Sequence, residues 1–309
     1  MAAIFSNMYM SVTVNGARTK FFRQSRSIRQ GDPVAMATFV MSVEPLANLI
    51  RRDMSLSPVR IPNQPPKTVA QYCDDTTIIS QSASDYQRVG NSTKIFENGS
   101  GAKLNHQKTE ILLVGMWTQE ERSILPTQNI KENVKILGIW FGKNANELNQ
   151  QAILEKIDKV IDFWKDIPLS FEGKKLIIHT KMLSQLYHTI RVTGMTARLR
   201  NEVQKRITNF FWLPRKMCLI AYKTLQNSID SGGLMLPDLD CINRALLTER
   251  IPKILKGDKP WKGHFLFRLG SSLRYGHANF GSMLHEHTNK QTPATSVIAS
   301  VFRKLENDV

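Results

Sequence analysis

Hydrophobic and polar residues alternate on both sides of the pair Asn15-Gly16 near the start of the chain. Val12 and Val14 precede the pair, and Phe21-Phe22 follow it. Asn-Gly favours the two-residue type I′ turn, whose central residues both need a positive φ. The pattern therefore predicts a β-hairpin over residues 12–22.

An amphipathic helix is predicted next. Asp32 suits the N-cap and Pro33 the first helical position, because Pro lacks the N–H that would be unpaired there. Pro45 predicts a kink and not an end, since the apolar period resumes after it. The apolar residues at helical spacing are predicted to face a core. They are Val34, Met36, Phe39, Val40, Val43, Leu46 and Ile50.

Residues 68–79 predict a strand, a tight turn and a second strand. The flanking residues are mostly β-branched, and Tyr72-Cys73-Asp74-Asp75 lies between them. Asp tolerates turn geometry, so a hairpin tip is predicted to hold the Asp74 and Asp75 carboxylates together. Adjacent carboxylate oxygens suit Mg²⁺. The alternative is that both side chains are only solvated at the tip.

Helical and extended patterns alternate through the first part of the chain. Ser84 and Gln87 form a capping-box signature ahead of an amphipathic helix. Strands are predicted at residues 111–114 and 134–141. Mixed strands and helices over residues 1–142 indicate an antiparallel α+β domain.

Helical periodicity takes over from residue 145. Three consecutive helices, the third capped by Thr196, indicate a compact α-helical second domain. Asp238 caps a further helix, and beyond residue 256 only loops and one short helix near residues 297–305 are predicted. Four basic residues on the third helix are interpreted either as contacts to a nucleic-acid backbone or as a solvated helix face. They are Arg198, Arg200, Lys205 and Arg206.

The chain of 309 residues carries 42 Lys and Arg against 26 Asp and Glu, which gives a formal net charge of +16 and a pI near 9.9. This excess favours a polyanionic partner, and nucleic acid is the first interpretation. The alternatives are that the chain rests on an anionic membrane, or that its basic residues only keep it soluble. Three scattered cysteines predict neither a disulfide framework nor a zinc ribbon. No apolar run of spanning length and no signal peptide is found, which predicts a nuclear or cytoplasmic protein without a membrane partner.

Three ordered motifs carry a family resemblance. They are Arg29-Gln30-Gly31-Asp32-Pro33, Tyr72-Cys73-Asp74-Asp75 and S-G-A-K-L-N-H-Q-K-T at residues 100–109. The segments V-K-I-L-G-I from residue 134 and S-G-G-L-M-L-P-D-L from residue 231 add to it. Together they resemble the reverse transcriptase of non-long-terminal-repeat retrotransposons of the long-interspersed-element type.

This resemblance implies an α+β fold made of a partial polymerase palm, an antiparallel sheet with packed helices, followed by an α-helical thumb. The implied palm covers residues 1–142 and the thumb residues 143–215. A post-thumb helical connection is expected at residues 216–256, and a weakly structured tail at residues 257–309.

The resemblance also implies an RNA-directed DNA polymerase that uses an RNA template, a DNA primer and deoxynucleoside triphosphates. Asp74 and Asp75 would hold Mg²⁺ in a two-metal reaction at the primer 3′-hydroxyl. Lys108 would protonate or stabilise the departing pyrophosphate, or else be an ordinary exposed lysine. Contacts to the nucleotide and template are expected from Arg29, Gln30, Gly31 and Tyr72, although Arg29 could equally be a plain surface charge.

The family pattern is incomplete in this chain. Reverse transcriptases supply another metal-binding Asp from a strand before the first hairpin, and residues 1–9 contain no acidic residue. The Mg²⁺ site is therefore expected to be incomplete and the isolated chain inactive. The alternatives are a noncatalytic RNA- or DNA-binding remnant, and a functionless product left partly unfolded because its sheet edge is exposed.

Overall fold

The computed structural model describes residues 8–24, 31–59, 67–215 and 217–249. Contacts divide the chain into two compact units. Among the described residues, the first unit holds 8–24, 31–59, 67–109 and 115–129, and the second holds 110–114, 130–215 and 217–249. The predicted tail at residues 257–309 lies outside the described residues. The predicted domain boundaries stay predictions.

Two nested β-ribbons open the first unit. β1 (Tyr9–Met10) pairs with β4 (Phe22–Arg23), and between them β2 (Thr13–Val14) pairs with β3 (Ala17–Arg18). Asn15 and Gly16 form the turn with φ of 49° and 84°, as a type I′ turn requires. The hairpin predicted from Asn-Gly is confirmed.

In the described part of the first unit, a second hairpin and three helices follow. The hairpin consists of β5 (Val69–Tyr72) and β6 (Asp75–Ile78). The helices are α1 (Ala35–Arg52), α2 (Asp85–Ser100) and α3 (Gln119–Ile124), and α1 packs against α2 and β5. Pro45 lies inside α1 without ending it, as predicted.

The apolar face of α1 is mostly open to solvent. Met36 is 67% exposed and Val40 is 48% exposed, whereas the residues of this helix that are buried are Thr38, Ala47 and Ile50. The prediction that most of these apolar side chains are core residues is therefore wrong for this unit. The predicted helical period is correct, but few of the described residues pack against the apolar face of the helix.

The N-terminus of α2 is not capped as predicted. Ser84 has helical dihedral angles and its side chain caps no N–H of the helix, so the capping box at Ser84 and Gln87 is wrong. Asp85 is instead turned inward and is 1% exposed. Its carboxylate accepts hydrogen bonds from the Ser57 N–H (2.9 Å) and the Ser80 hydroxyl (2.5 Å).

The second unit begins with two short ribbons. β7 (Ile111–Leu112) pairs in parallel with β8 (Ile130–Lys131). β9 (Asn133–Ile136) and β10 (Ile139–Gly142) form an antiparallel hairpin, so the single strand predicted at residues 134–141 is wrong. Leu137 and Gly138 make its turn with φ of 47° and 85°.

Within the described residues, every sheet is a two-stranded ribbon. Four ribbons are antiparallel and the β7–β8 ribbon is parallel. Mixed helices and strands agree with the predicted α+β class. The arrangement of a palm followed by a thumb stays a prediction.

Helices build the core of the second unit. α4 (Ala145–Trp164) is followed by α5 (Phe171–Ile177), a π-helical turn at Ile178–Met182 and α6 (Ser184–Thr193). α7 (Ala197–Trp212), α8 (Tyr222–Leu225) and α9 (Leu239–Thr248) come next. Their buried apolar side chains form one cluster, which includes Ile153, Ile157, Ile178, Met182, Leu186, Ile190, Val203, Ile207, Phe210 and Phe211.

Both predicted caps in this unit are confirmed. The Thr196 hydroxyl accepts the N–H of Leu199 at 3.2 Å. The Asp238 carboxylate accepts the N–H groups of Asp240 and Cys241 at 2.9 and 3.0 Å.

In the ranges described, none of the helices has the length and apolar character needed to cross a membrane.

Tyr222 gives this unit a testable dependence on alkaline pH. Its hydroxyl donates to the Pro237 carbonyl at 2.9 Å. Burial raises the pKa of Tyr222, and the negative charge of Asp238 adds to the shift. Because the pKa in an unfolded chain is about 10, the stabilisation is complete below that pH and is lost as the pH rises toward the higher folded-state pKa.

We expect Tyr222→Phe to lose less stability than the parent chain between about pH 8 and pH 10.5, because it has no phenol to ionise on unfolding. At pH 8 the variant should be less stable by about 1 kcal/mol, since the Pro237 carbonyl loses one donor. Urea unfolding of both chains at the two pH values measures the difference. Equal losses in the two chains would contradict the prediction.

Candidate active site

The predicted acidic hairpin is present in the first unit. β5 pairs with β6 in antiparallel register, and Tyr72 lies opposite Asp75. Cys73 and Asp74 form the two-residue turn between the strands. Asp74 therefore lies in the turn and Asp75 is the first residue of β6. The prediction of a strand, a tight turn and a strand is confirmed.

Both carboxylates of the hairpin are open to solvent. Within the part of the chain that the structure describes, neither Asp74 nor Asp75 accepts a hydrogen bond or forms an ion pair through its side chain. Their oxygens are not satisfied by protein donors, and exposed anionic oxygens are the ligands that Mg²⁺ prefers. The chemistry of the two carboxylates suits Mg²⁺, and their role as its ligands stays a prediction.

The turn itself carries backbone strain at Cys73. This residue has a φ of 53° and occupies the first turn position. A positive φ there is typical of type II′ turns, which usually hold Gly at that position. A side chain in this region costs roughly 1–2 kcal/mol. Strain of this kind is concentrated at functional sites in proteins.

Tyr72 lies on the same face of the hairpin as Asp75. Residues directly opposite each other in an antiparallel ribbon project to one face. Tyr72 is 66% exposed on that face. On the other face the Gln71 amide donates to the Thr76 hydroxyl at 3.2 Å. The structure thus brings Tyr72 together with a predicted metal ligand.

Gly31 precedes α1, the helix that packs against β5. Its φ is 86°, and a Cβ built on it would meet no heavy atom of the described residues within 4 Å. The backbone conformation therefore requires glycine here, while the space beside the residue is open. Arg29 and Gln30 lie outside the described residues, so their roles stay predictions.

Lys108 lies in a turn after α2. Its backbone N–H donates to the carbonyl oxygen of Asn105 at 3.1 Å and to the Asn105 side-chain oxygen at 3.2 Å. The side chain is exposed. Among the described residues, its ammonium has no hydrogen-bond or ion-pair partner. The motif at residues 100–109 thus presents a free cation on a hydrogen-bonded turn.

Two buried polar residues of the first unit were not predicted from the sequence. Asp85 is 1% exposed and Asn129 is 7% exposed. Asp85 binds the N–H of Ser57, and the Asn129 amide binds the carbonyl of His106. Neither residue belongs to a motif, and their partners are distant in sequence, so periodicity gives no signal for them.

The four basic residues predicted to contact nucleic acid differ in their surroundings on α7. Arg200 pairs with Asp240 at 2.6 Å, and Arg206 pairs with Asp158 and Glu202, both at 2.7 Å. The hydrogen bond to Asp158 is the largest factor that raises the pKa of Arg206. The other two members, Arg198 and Lys205, are exposed and have no ion pair within the described ranges.

The hairpin, the motif turn and the glycine before α1 all lie in the stretch that matches a known family. Residues 2–141 match reverse transcriptases. The description of the matching family is "Reverse transcriptase (RNA-dependent DNA polymerase)". In the part of the chain that the structure describes, no group of three or more His, Cys, Asp or Glu side chains could hold a metal ion.

A curated relative extends the similarity beyond residue 141. The "Transposon TX1 uncharacterized 149 kDa protein" of Xenopus laevis is 21% identical to this chain over 267 residues. The aligned part covers 82% of the chain and 19% of the relative. The chain therefore spans about a fifth of the length of that protein. The predicted resemblance to reverse transcriptases of mobile elements is confirmed at this level.

Proposed function

We propose that this chain is part of an RNA-directed DNA polymerase of a non-long-terminal-repeat retrotransposon, with a palm in its first part and a thumb after it. The observation that carries the proposal is the β5–β6 hairpin, which presents Asp74 and Asp75 with no protein partner among the described residues. The family match over residues 2–141 supports it.

Asp74 and Asp75 act as Mg²⁺ ligands in this proposal. Bound Mg²⁺ would activate the primer 3′-hydroxyl and neutralise charge on the leaving pyrophosphate. Asp74 is the direct ligand, and Asp75 assists from the adjacent strand position. Tyr72, on the face of Asp75, contacts the incoming nucleotide or the template.

The remaining proposed site residues handle the substrates. Open space beside Gly31 admits a nucleotide or template backbone. The exposed Lys108 ammonium stabilises or protonates the departing pyrophosphate. Arg29 and Gln30 are proposed to contact the nucleotide and template next to Gly31. The substrates are an RNA template, a DNA primer and deoxynucleoside triphosphates.

The proposed metal site needs a further carboxylate, because the family pattern includes an Asp ahead of the first hairpin and residues 1–9 contain none. We therefore expect this chain to be inactive unless that carboxylate is supplied to it. Primer extension on an RNA template with Mg²⁺, measured with and without an Asp-bearing segment joined ahead of residue 1, tests the proposal. Failure of the extended protein to polymerise would contradict it.

A second candidate function is noncatalytic binding of RNA or an RNA·DNA duplex by α7. The observation that favours it is the pair Arg198 and Lys205, whose charges are exposed and unpaired among the described residues. The two residues are seven positions apart, so they lie on one face of the helix. Phosphate contacts of this kind bind without reading sequence.

We expect the double variant Arg198→Gln/Lys205→Gln to bind an RNA·DNA duplex more weakly and with a flatter salt dependence. Loss of two phosphate contacts should reduce the slope of log K against log salt by about one to two. Fluorescence anisotropy at several salt concentrations measures the slope. Arg200→Gln is the matched control on the same helix, and its slope should change little because Asp240 already pairs with that guanidinium. Equal slopes for the double variant and the parent chain would contradict this function.

A further inference from the structure

The turn that carries Lys108 is fixed from within the motif. The Asn105 carbonyl accepts the Lys108 N–H at 3.1 Å and the Thr109 hydroxyl at 3.0 Å. Just before it, the Glu97 carboxylate of α2 accepts the N–H of Leu104 at 2.6 Å. These bonds close the turn and tie its start to the helix. They leave the carbonyl groups of the turn to be satisfied elsewhere.

Asn129 supplies the donors that the turn lacks. Its side-chain amide nitrogen donates to the His106 carbonyl at 2.9 Å and also to the Thr109 carbonyl. These carbonyls stand two residues before Lys108 and one residue after it. Asn129 is 7% exposed, so water competes little for the two bonds. Both hydrogens of the amide are used, which fixes the side chain between the two carbonyls.

The hydrogen bonds from Asn129 limit the positions open to the Lys108 ammonium. A lysine side chain has about 2 kcal/mol of rotamer entropy, so its tip is positioned mainly by where the backbone places its Cα. No partner among the described residues holds the ammonium itself. The two hydrogen bonds from Asn129, one to a carbonyl on each side of Lys108, are therefore a constraint from outside the motif on the region that the ammonium reaches.

We infer that Asn129 is a positioning residue for Lys108, which it aims at the phosphates of a bound nucleotide or of departing pyrophosphate. The inference rests on the proposed function, in which Lys108 meets those phosphates. It adds a residue that lies outside every motif of the chain. Asn129 does not touch the ligand and acts only through the turn.

A double-mutant cycle on the full chain tests the inference, with magnesium pyrophosphate as the titrated ligand in calorimetry. The variants are Asn129→Leu, Lys108→Gln and the combination of both. Leu has the same branched heavy-atom skeleton as Asn, although it is bulkier, and its lack of polar atoms removes both donors to the carbonyls. Asn91→Leu is the matched control, because Asn91 is an exposed residue of α2 in the same unit.

We expect Lys108→Gln to weaken pyrophosphate binding about tenfold and Asn129→Leu to weaken it about fivefold. Each change is about what the loss of one hydrogen bond causes. In the Lys108→Gln background, Asn129→Leu should have no further effect. Asn91→Leu should bind as the parent chain does. Asn129→Gln, which keeps both donors on a longer side chain, should fall between the parent chain and Asn129→Leu and serves if the Leu variant does not fold.

The possible outcomes distinguish a failure of the proposed role of Lys108 from a failure of the positioning role of Asn129. If Lys108→Gln binds pyrophosphate as tightly as the parent chain, the proposed role of Lys108 fails, and the role of Asn129 fails with it. If Lys108→Gln weakens binding but Asn129→Leu weakens it equally in both backgrounds, Asn129 is only structural and the proposed function stands. No effect of Asn129→Leu in either background overturns the inference alone.

Discussion

Replacing Asp74 by Asn is expected to reduce primer extension on RNA by about a thousandfold in a longer protein that also supplies the further Asp. Asn has almost the same shape, but it loses the negative charge and one anionic oxygen that a hard divalent cation requires. Asp75→Asn should have a smaller effect, because the proposed function gives Asp75 only an assisting role beside the direct ligand Asp74. Single-turnover extension with saturating nucleotide measures the chemical step, and removal of Mg²⁺ by a chelator should abolish it.

The effect of Asp74→Asn should be confined to the reaction. Asp74 is an exposed turn residue whose side chain bonds to none of the described residues, so the melting temperature should stay the same. Asp230→Asn is the control, because it makes the same exchange at an exposed residue of the second unit. Extension at the parental rate by Asp74→Asn would refute the role of the hairpin.

Local turn chemistry explains which hairpins the sequence predicts. Asn15-Gly16 forms the expected turn because both residues tolerate a positive φ. The hairpin around Asp74 also follows from residue type. The β9–β10 hairpin was missed because its turn uses Leu137, an apolar residue at φ 47°, within a run that otherwise resembles one strand. Gly138 was the one local signal of that turn.

Competition between neighbouring hydroxyl groups explains the misplaced capping box. The Ser82 hydroxyl lies 2.8 Å from that of Ser84 and so draws it away from the N–H groups of the helix. An unpredicted capping box forms at α3, where Thr118 and Glu121 bond reciprocally. The sequence signature is the same at both places, so it cannot show which serine or threonine is free to cap.

Long-range partners explain the rest of what the sequence could not show. Asn129 and Asp85 are buried by contacts with residues that are distant in the chain, and no local pattern marks either residue. In α1 the local pattern is correct, because periodicity predicted the apolar face of the helix. The same periodicity could not show that this face is exposed to solvent, since that depends on which elements pack against it. The pairing of Arg200 with Asp240 likewise depends on the tertiary fold.

Phe210→Ala is expected to destabilise the second unit by about 3–5 kcal/mol. Phe210 is 2% exposed on α7 and belongs to the cluster to which the helices from α4 to α9 contribute. Truncation loses the transfer free energy of the ring and leaves a cavity, because the surrounding helices cannot collapse fully onto the space. Urea unfolding followed by far-ultraviolet circular dichroism gives the free energy of unfolding.

Phe163→Ala is the matched control for this loss, because it removes the same ring from α4 where the residue is 70% exposed. That ring contacts Trp164 with 5.4 Å between centroids, so a loss of about 0.5–1 kcal/mol is expected. A loss for Phe210→Ala no larger than this would contradict a close-packed helical core. The difference between the variants separates burial from helix propensity, since both replace Phe by Ala within a helix.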